Sequence, residues 1–426
     1  MIKEVTMTVR LGVIADDFTG GTDIASFLVE NGMKTVQLSG VQPLHSIPEG
    51  TEAIVVSLKS RSNPVAEAIE QSLQALKLLQ QAGARQIYFK YCSTFDSTSQ
   101  GNIGPVTDAL LEALDTDFTV ICPALPVNGR TIYQGHLFVN GVPLDESSMR
   151  NHPVTPMRDS SLVRLMDAQA QGSTGLVPYE TVETGAAQVA RALRDCRAGG
   201  RRYAVLDALN QTHLDTLGEA VKDLPLVTGG SGLGGAIVKA HRSDDAQAAA
   251  SFTPHAGPGV ILSGSCSAAT NEQVAAYRPQ APALPVDVDR LMTSPSGYDQ
   301  EVLDWFTAQE AQGPAPLIYA TAGPEEVSRL QRDYGAAASS DAIEQFFARI
   351  AADLVARGVQ RVVVAGGETS GAVTQALDVE GFQVGPGIAP GVPWVRSLDG
   401  RIDLALKSGN FGGVNFFADA QQVKGA

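Results

Sequence analysis

Leu11-Gly12-Val13-Ile14-Ala15-Asp16-Asp17-Phe18-Thr19-Gly20-Gly21-Thr22-Asp23 reads as a β-strand, a tight turn and the opening of a helix. The apolar run from Leu11 to Ala15 feeds directly into two adjacent carboxylates. A glycine pair follows, then Ile24, Phe27 and Leu28 recur at the spacing of a buried helical face. Asn31-Gly32 supplies the helix stop. In an open α/β sheet, ligands bind where strands end and helices begin. Two acids at that point suit hydroxyl groups or a cation better than a bare phosphate. The plainer role is a capping acid, with Thr19 or Thr22 as the other candidate caps. Successive side chains leave a strand in different directions, so one Asp can serve a ligand while its neighbour serves the fold.

Outward from this turn the chain alternates. Ala53 to Leu58, Gln86 to Tyr91 and Phe118 to Cys122 read as strands; Val65 to Ala82 and Ile103 to Leu114 read as helices, the second entered through Gly104-Pro105. Asn128 to Pro156 breaks the pattern with Gly, Pro, Asn and His and holds a short hairpin at Leu137 to Val142. Such an insertion is usually a functional loop or lid. Alternation resumes through Thr174 to Pro178, Ala186 to Arg194, Tyr203 to Asp207, Leu214 to Val221 and Pro225 to Thr228. Arg242 to Gly259 reads as a linker. Beyond it come a strand from Val260, a helix over Ala268 to Tyr277, a strand at Leu317 to Ala320, a helix over Asp341 to Arg357, a strand at Arg361 to Ala365 and a helix over Ser370 to Leu377. The tail, Trp394 to Phe417, reads as strands joined by a Gly-rich turn, Ser408 to Gly413. The class is α/β, with two domains that each carry a mostly parallel sheet flanked by helices.

Composition narrows the function. The chain has 426 residues, and a prior of roughly 150 residues per domain gives two or three. The formal net charge is -15 and no dense Lys/Arg cluster is present, which argues against nucleic acid and anionic membrane as partners. Cys92, Cys122, Cys196 and Cys266 are scattered without a CxxC pair, as in reduced thiols rather than a disulfide frame. No long apolar segment suggests a signal or a membrane span, so a cytoplasmic location is expected.

Three further stretches suggest chemistry. Arg361 to Ala365 leads into Gly366-Gly367-Glu368-Thr369-Ser370-Gly371, where glycines let backbone amides close on an anion and Thr369 or Ser370 opens a helix. It is neither a Walker A loop nor GxGxxG. Leu262-Ser263-Gly264-Ser265-Cys266-Ser267 joins another strand to a helix and offers hydroxyls and amides. Tyr88 to Thr98, with Lys90, Asp96 and Ser97, leaves a strand for a hydroxyl-rich loop suited to a polyhydroxylated ligand. Arg61, at another strand end, has the fork to clamp a carboxylate. His136 and the remaining histidines show no metal-ligand spacing.

Together, Asp-Asp-Phe-Thr-Gly-Gly, Gly-Ser-Cys-Ser and Gly-Gly-Glu-Thr-Ser-Gly, in this order along essentially the whole chain, resemble the four-carbon acid sugar kinase family. The resemblance implies an acid-sugar-binding domain over 1–241, a linker over 242–259 and a nucleotide-binding domain over 260–426, with the site in the cleft between them. It implies ATP-dependent phosphorylation of a terminal hydroxyl. Lys90 to Gly104, with Cys122-Pro123-Ala124 and Asn128-Gly129-Arg130-Thr131, is similar to the subgroup acting on 3-oxo-tetronate. Threonate and erythronate kinases usually carry Arg where this chain has Gln100.

On that resemblance, Asp17, with Asp16 as second candidate, orients or deprotonates the C4 hydroxyl. Arg61 or Lys90 binds the carboxylate, and Asp96 and Ser97 bind other oxygens. Gly366, Gly367, Glu368 and Thr369 surround the ATP phosphates, Ser263 or Ser265 stands beside them, and Gly409 and Gly412 line the nucleotide site. Mg²⁺ is expected on general grounds, without identified ligands. The partners are a small acid sugar and ATP, with a homo-oligomer left open. The competing readings are threonate or erythronate kinase, a non-catalytic two-domain metabolite-binding protein, and a dehydrogenase, against which the missing GxGxxG counts.

Overall fold

The computed structural model describes residues 9–44, 47–152, 155–242, 252–309 and 313–422. Half of the expected linker, residues 243–251, lies outside the described residues. The chain forms two compact units, Met1–Ala250 and Ser251–Ala426. Among the described residues no helix is long and apolar enough to cross a membrane.

The first unit opens with β1 (Leu11–Ala15), α1 (Phe18–Glu30), β2 (Thr35–Ser39), β3 (Ala53–Ser57), α2 (Val65–Gln81) and β4 (Gln86–Lys90). It continues with α3 (Ile103–Ala113), β5 (Thr119–Cys122), β6 (Arg130–Tyr133), β7 (His136–Val139), β8 (Val142–Pro143) and α4 (Leu162–Gln169). Next come β9 (Thr174–Val177), α5 (Tyr179–Glu183), α6 (Ala186–Ala198), β10 (Tyr203–Leu206), α7 (Gln211–Val221), β11 (Leu226–Gly229) and α8 (Ser231–His241). Strands β2, β3, β1, β4, β11, β5, β10 and β9 lie side by side in that order, all parallel. The five residues of β1 are all buried, as a continuous apolar run requires of a strand covered on both faces. From β1 the chain builds to one side through β2 and β3, then crosses back to β4. The carboxyl end of β1 is therefore a topological switch point, where such sheets bind ligands.

Helix α1 starts because Asp17, in extended conformation, accepts a hydrogen bond from Gly20 N at 2.9 Å. Neither Thr19 nor Thr22 caps it: Thr22 sits inside the helix and donates to Gln37 Oε1 at 3.0 Å. Ile24, Ala25 and Leu28 are buried beneath it, the larger two worth about 1.5–3 kcal/mol each. The insertion after residue 128 is more ordered than a loop. β6, β7 and β8 make an antiparallel sheet. The buried Asp207 carboxylate accepts from Gln134 N, Gly135 N and Tyr179 N at 2.7, 2.9 and 3.0 Å, fixing that sheet to the domain.

The second unit comprises β12 (Gly259–Ser263), α9 (Ala268–Tyr277), β13 (Ala283–Pro285), α10 (Val288–Thr293), α11 (Tyr298–Thr307) and β14 (Leu317–Tyr319). It continues through α12 (Pro324–Tyr334), α13 (Ala336–Ala356), β15 (Arg361–Ala365), α14 (Gly367–Ala376), β16 (Gly381–Ala389), β17 (Val392–Ser397), β18 (Asp403–Lys407) and α15 (Phe416–Gln422). β13, β14, β12, β15 and β18 run parallel; β17 and β16 extend the sheet antiparallel. Order reverses between β12 and β15, a second switch point. The Gly-rich turn of the tail joins β18 to helix α15 rather than to another strand. Phe416 and Phe417 pack edge-on to each other, and Phe417 meets Tyr277 of α9 in the same way, so both rings serve the core.

Candidate active site

The polar centre of the first unit is built on strand ends. Parallel register sets Ala15 beside Ser57 and Lys90, so Asp16, Arg61 and Lys90 leave the sheet at one edge. Asp16 binds Arg61 in bidentate fashion, with Arg61 Nε donating to Oδ2 at 2.9 Å and Nη2 to Oδ1 at 2.8 Å. The same Nη2 is 2.8 Å from Asp17 Oδ1, and Nη1 is 3.6 Å from Asp96 Oδ2. One guanidinium thus faces three carboxylates, and its pKa is held well above the ordinary arginine value.

The two adjacent aspartates separate in role here. The Asp16 side chain is 6 % exposed and that of Asp17 31 %. Both polar contacts of Asp17 fall on Oδ1, leaving Oδ2 without a protein hydrogen bond among the described residues. Although Asp17 keeps some surface, its packed surroundings still desolvate the carboxylate and push its pKa up; Arg61 opposes this and Asp16 reinforces it.

Asp96 and Phe95 both hold positive φ, +47° and +65°. Thr94 Oγ1 donates to Asp96 Oδ1 at 2.7 Å. This turns the loop after β4 back toward Arg61. Ser97 is committed to the fold: its hydroxyl donates to Gln169 Oε1 at 2.9 Å, and Ile103 N donates to it. Asp16, Ser60, Arg61, Asp96, Ser97 and Asn102 line one small recess. Lys90 is 2 % exposed and donates to Tyr91 O at 2.9 Å, with Asp23 Oδ2 4.0 Å away.

Sequence reasoning missed Asn102 and Asp23. Asn102 Nδ2 donates to Ser60 O, Arg61 O and Asn63 O at 2.8, 3.3 and 2.9 Å, pinning the segment that carries Arg61. Asp23 lies buried in α1 with Ser231 Oγ donating to its Oδ2. Its position between Thr22 and Ile24 gave no sequence signal, because Ser231 is far away in the chain.

In the second unit the two Gly-rich turns meet. Register places Ser263 beside Ala365, and Gly264 N and Ser265 N both donate to Ala365 O at 3.0 Å. A cavity of about 320 Å³ opens there, with Ser265, Gly366, Gly367, Glu368 and Thr369 on its polar side. Helix α14 begins at Gly367, with Gly366 (φ +133°) as the capping position and no side-chain cap, so neither Thr369 nor Ser370 opens the helix. Amides of a first helical turn have no helical partner, which suits them to an anion. A Cβ on Gly264 would stand 2.3 Å from Thr369 Oγ1, whereas one on Gly367 would meet nothing within 4 Å. Helices α12 and α13 supply the other wall, including Val327, Leu330 and Ile343. Burial, with Glu368 nearby, pushes Glu344 of that wall above the ordinary carboxylate range.

Ser263, Gly409 and Gly412, expected at the nucleotide, make contacts within the protein. Ser263 is wholly buried and its hydroxyl pairs with Thr321 Oγ1 at 2.7 Å. Gly409 and Gly412 do not line the cavity. Gly409 packs against the Ser265 turn, and its carbonyl accepts from Ser267 Oγ, Thr270 Oγ1 and Lys407 Nζ at 2.7, 2.8 and 2.9 Å. Gly412 (φ +81°) lies against the Phe416 ring, and Gln273 Nε2 donates to its carbonyl at 3.1 Å. Burial pulls the Lys407 ammonium down to about 8. Among the described residues no group of three or more His, Cys, Asp or Glu side chains is placed to hold a metal ion.

Comparison with known proteins agrees with this division. Residues 11–237 match the profile of a sugar-binding N-terminal domain and residues 260–417 that of a nucleotide-binding C-terminal domain. A sugar-binding half followed by a nucleotide-binding half defines a carbohydrate kinase class. A 3-oxo-tetronate kinase of Brucella melitensis is 55 % identical over 418 residues, covering 97 % of this chain and 95 % of that protein. One from Salmonella typhimurium is 55 % identical over 416 residues, covering 97 % and 99 %. A crystal structure from Salmonella typhimurium LT2, provisionally described as a tRNA synthase, superposes with a TM-score of 0.92 at 54 % identity, covering 97 % of this chain and 99 % of that one. The chain belongs to the four-carbon acid sugar kinase family of ATP-using enzymes, alongside these 3-oxo-tetronate kinases.

Proposed function

We propose that this chain transfers the γ-phosphoryl group of ATP to the terminal C4 hydroxyl of 3-oxo-tetronate, giving 3-oxo-tetronate 4-phosphate and ADP. The observation that carries this is the nearly full-length identity of about 55 % to proteins of that activity. The tRNA synthase description finds no physical support: a tRNA partner calls for a basic face, and the net charge is -15.

Phosphoryl transfer asks for positioning and charge neutralisation more than covalent help. In the first unit Asp17 Oδ2 is the open carboxylate oxygen, and it accepts the C4 hydroxyl. As O4 forms its bond to phosphorus, the bond from phosphorus to the β,γ-bridging oxygen breaks and the hydroxyl proton passes to Asp17. Asp16 does not share this task, because Arg61 occupies both its oxygens. In the second unit the amides of Gly367, Glu368 and Thr369 take the phosphate oxygens, with Ser265 beside them, and the apolar face of α12 and α13 takes the base. Mg²⁺ accompanies the nucleotide rather than occupying a protein cage.

The test is a coupled ADP-release assay with purified protein across 3-oxo-tetronate, threonate and erythronate. The highest kcat/KM is expected on 3-oxo-tetronate. A preference for threonate or erythronate moves the substrate within the family, and turnover on none overturns the kinase reading.

A further inference from the structure

We propose that Lys407, in its ammonium form, is a positioning residue for the nucleotide: by gripping the Gly409 carbonyl it sets, through Ser267, the Ser265 hydroxyl that binds a phosphate oxygen. This rests on the nucleotide-binding half of the reading above and adds to it a residue that touches no substrate.

Lys407 ends β18 at the level of the two Gly-rich turns. Parallel register puts it beside Ala365, and its own carbonyl accepts from Gly366 N at 2.9 Å. The residue is wholly buried. Its Nζ donates to Thr270 Oγ1, Ser408 O and Gly409 O at 3.0, 3.1 and 2.9 Å. Thr270 Oγ1 gives its own proton to Gly409 O at 2.8 Å, so toward Lys407 it is an acceptor. Three acceptors call for three N–H groups, which an ammonium has and a neutral amine lacks.

The gripped carbonyl leads to the cavity. Gly409 O also accepts from Ser267 Oγ at 2.7 Å, and Ser267 N donates to Ser265 Oγ at 3.2 Å. Gly409 closes directly on that hydroxyl as well: a Cβ there would lie 2.5 Å from Ser265 Oγ. Ser265 Oγ is thus located as an acceptor, while its O–H has no protein acceptor among the described residues. It stands on the polar wall of the cavity of about 320 Å³. A located hydroxyl with a proton to give suits a phosphate oxygen.

Charge points the same way. A fully buried lysine normally has a carboxylate partner. Lys407 makes no ion pair among the described residues, and burial alone acts on its charge. Asp403, at the other end of β18, is taken by Arg396 of β17, and Arg361 opens β15 at that same end. Glu272 of α9, Glu368 of α14 and Asp419 of α15 offer it no ion pair. Burial raises the Cys266 thiol and pushes the Tyr277 phenol to about 12, so neither supplies a negative charge at neutral pH. Only the Phe416 ring, 5.9 Å from Nζ, gives the ammonium a weakly negative face among these groups. Thr270 lies in the first turn of α9, whose amides carry partial positive charge and add to the imbalance. A polyanion in the adjoining cavity offsets it, so nucleotide and the Lys407 proton favour each other's binding.

The experiment is calorimetric titration of ADP into wild type, Lys407→Met, Ser265→Ala and the double variant at pH 7, with wild type and Lys407→Met repeated at pH 9. Each single variant is expected to weaken ADP about tenfold at pH 7, the worth of one hydrogen bond to a charged group. Because Lys407 acts through Ser265, the double variant is expected to match the weaker single rather than lose about 100-fold. With the ammonium at about 8, wild-type affinity is expected to fall about tenfold from pH 7 to pH 9. A terminal phosphate titrates near pH 6, about one unit below this range, so ADP itself keeps its charge. Titrations at pH 8.5 in two buffers of different ionisation heat are expected to show proton uptake on binding, and Lys407→Met to show neither effect. Additive losses, a Lys407→Met affinity equal to wild type, or a wild-type affinity flat from pH 7 to pH 9 each overturn the proposal. The wild-type pH series decides the matter even where Lys407→Met fails to fold. The expected ADP pattern in a wild type inactive on every four-carbon acid supports the proposal and sinks the acid-sugar kinase reading; a wild type that binds no nucleotide overturns both.

Discussion

Arg61 binds Asp16 through both Nε and Nη2, at 2.9 and 2.8 Å, and so engages both oxygens of one of two adjacent carboxylates, while Asp17 meets it through Oδ1 alone. Neighbours in sequence thereby acquire different tasks. Asp16 and Arg61 form a largely buried pair that shapes the end of β1. Asp17 caps α1 with one oxygen and keeps the second available.

Asp17→Asn is expected to lower kcat by about 10²- to 10³-fold, the usual worth of a positioned base, with KM for ATP unchanged. Asn caps a helix about as well as Asp, so the fold is retained. Asp16→Asn is expected to behave differently. It breaks a buried charged pair and costs about 3–5 kcal/mol of stability. Kinetics and urea denaturation on both variants check the division; equal effects on kcat and on stability contradict it.

The pH profile follows from the same carboxylate. Burial raises the Asp17 pKa above its ordinary value of 3.8. A base works only when ionised, so the acid limb of kcat/KM is expected above that value, with activity lost as pH falls through it. The residual activity of Asp17→Asn lacks this limb. Stability runs the other way. A raised native pKa means the folded state holds the proton more tightly than the unfolded chain. The stabilisation from Asp17 is thus full below the unfolded pKa and lost as pH rises through the native one. Asp17→Asn is expected to melt higher than wild type at neutral pH, and thermal denaturation across pH checks the sign.

The strand–turn–helix units were legible in the sequence because each is local. An apolar run, a glycine pair and a capping residue lie within a dozen positions, and they located both switch points. What escaped was long-range. Asn102 reaches three carbonyls about forty residues back, Asp23 pairs with Ser231, and Lys407 ties Thr270 to the tail loop. The surroundings of Ser263 were hidden for a related reason. Its place at a strand end suggested exposure, but only the fold shows Thr321 covering it. Gly412 shows the ambiguity of such positions, because a glycine with positive φ beside a ring looks the same in sequence as one that admits a phosphate.

Two glycines of the nucleotide site should respond oppositely to added bulk. A side chain at Gly367 meets open space, so Gly367→Val is expected to leave the melting temperature nearly unchanged while raising KM for ATP at least tenfold. At Gly264 a Cβ comes within 2.3 Å of Thr369 Oγ1, so Gly264→Ala is expected to lower stability by about 1–3 kcal/mol through overpacking and to weaken ATP binding as well. ATP kinetics with thermal melting separates the cases. Unchanged ATP affinity in Gly367→Val removes the phosphate-cradle assignment.

Asn102 should act on the sugar end without touching substrate. Its Nδ2 joins the carbonyls of Ser60, Arg61 and Asn63. Asn102→Ala leaves carbonyls near the recess unpaired, a cost of about 1–3 kcal/mol. It also frees the segment that sets Arg61 against Asp16 and Asp17. The expected result is a lower melting temperature and reduced kcat on the four-carbon acid, with KM for ATP unaffected. Asn102→Asp should be worse than alanine, because a carboxylate has no N–H to give and faces three carbonyl oxygens. If aspartate is tolerated better than alanine, Asn102 is not the donor that organises this segment.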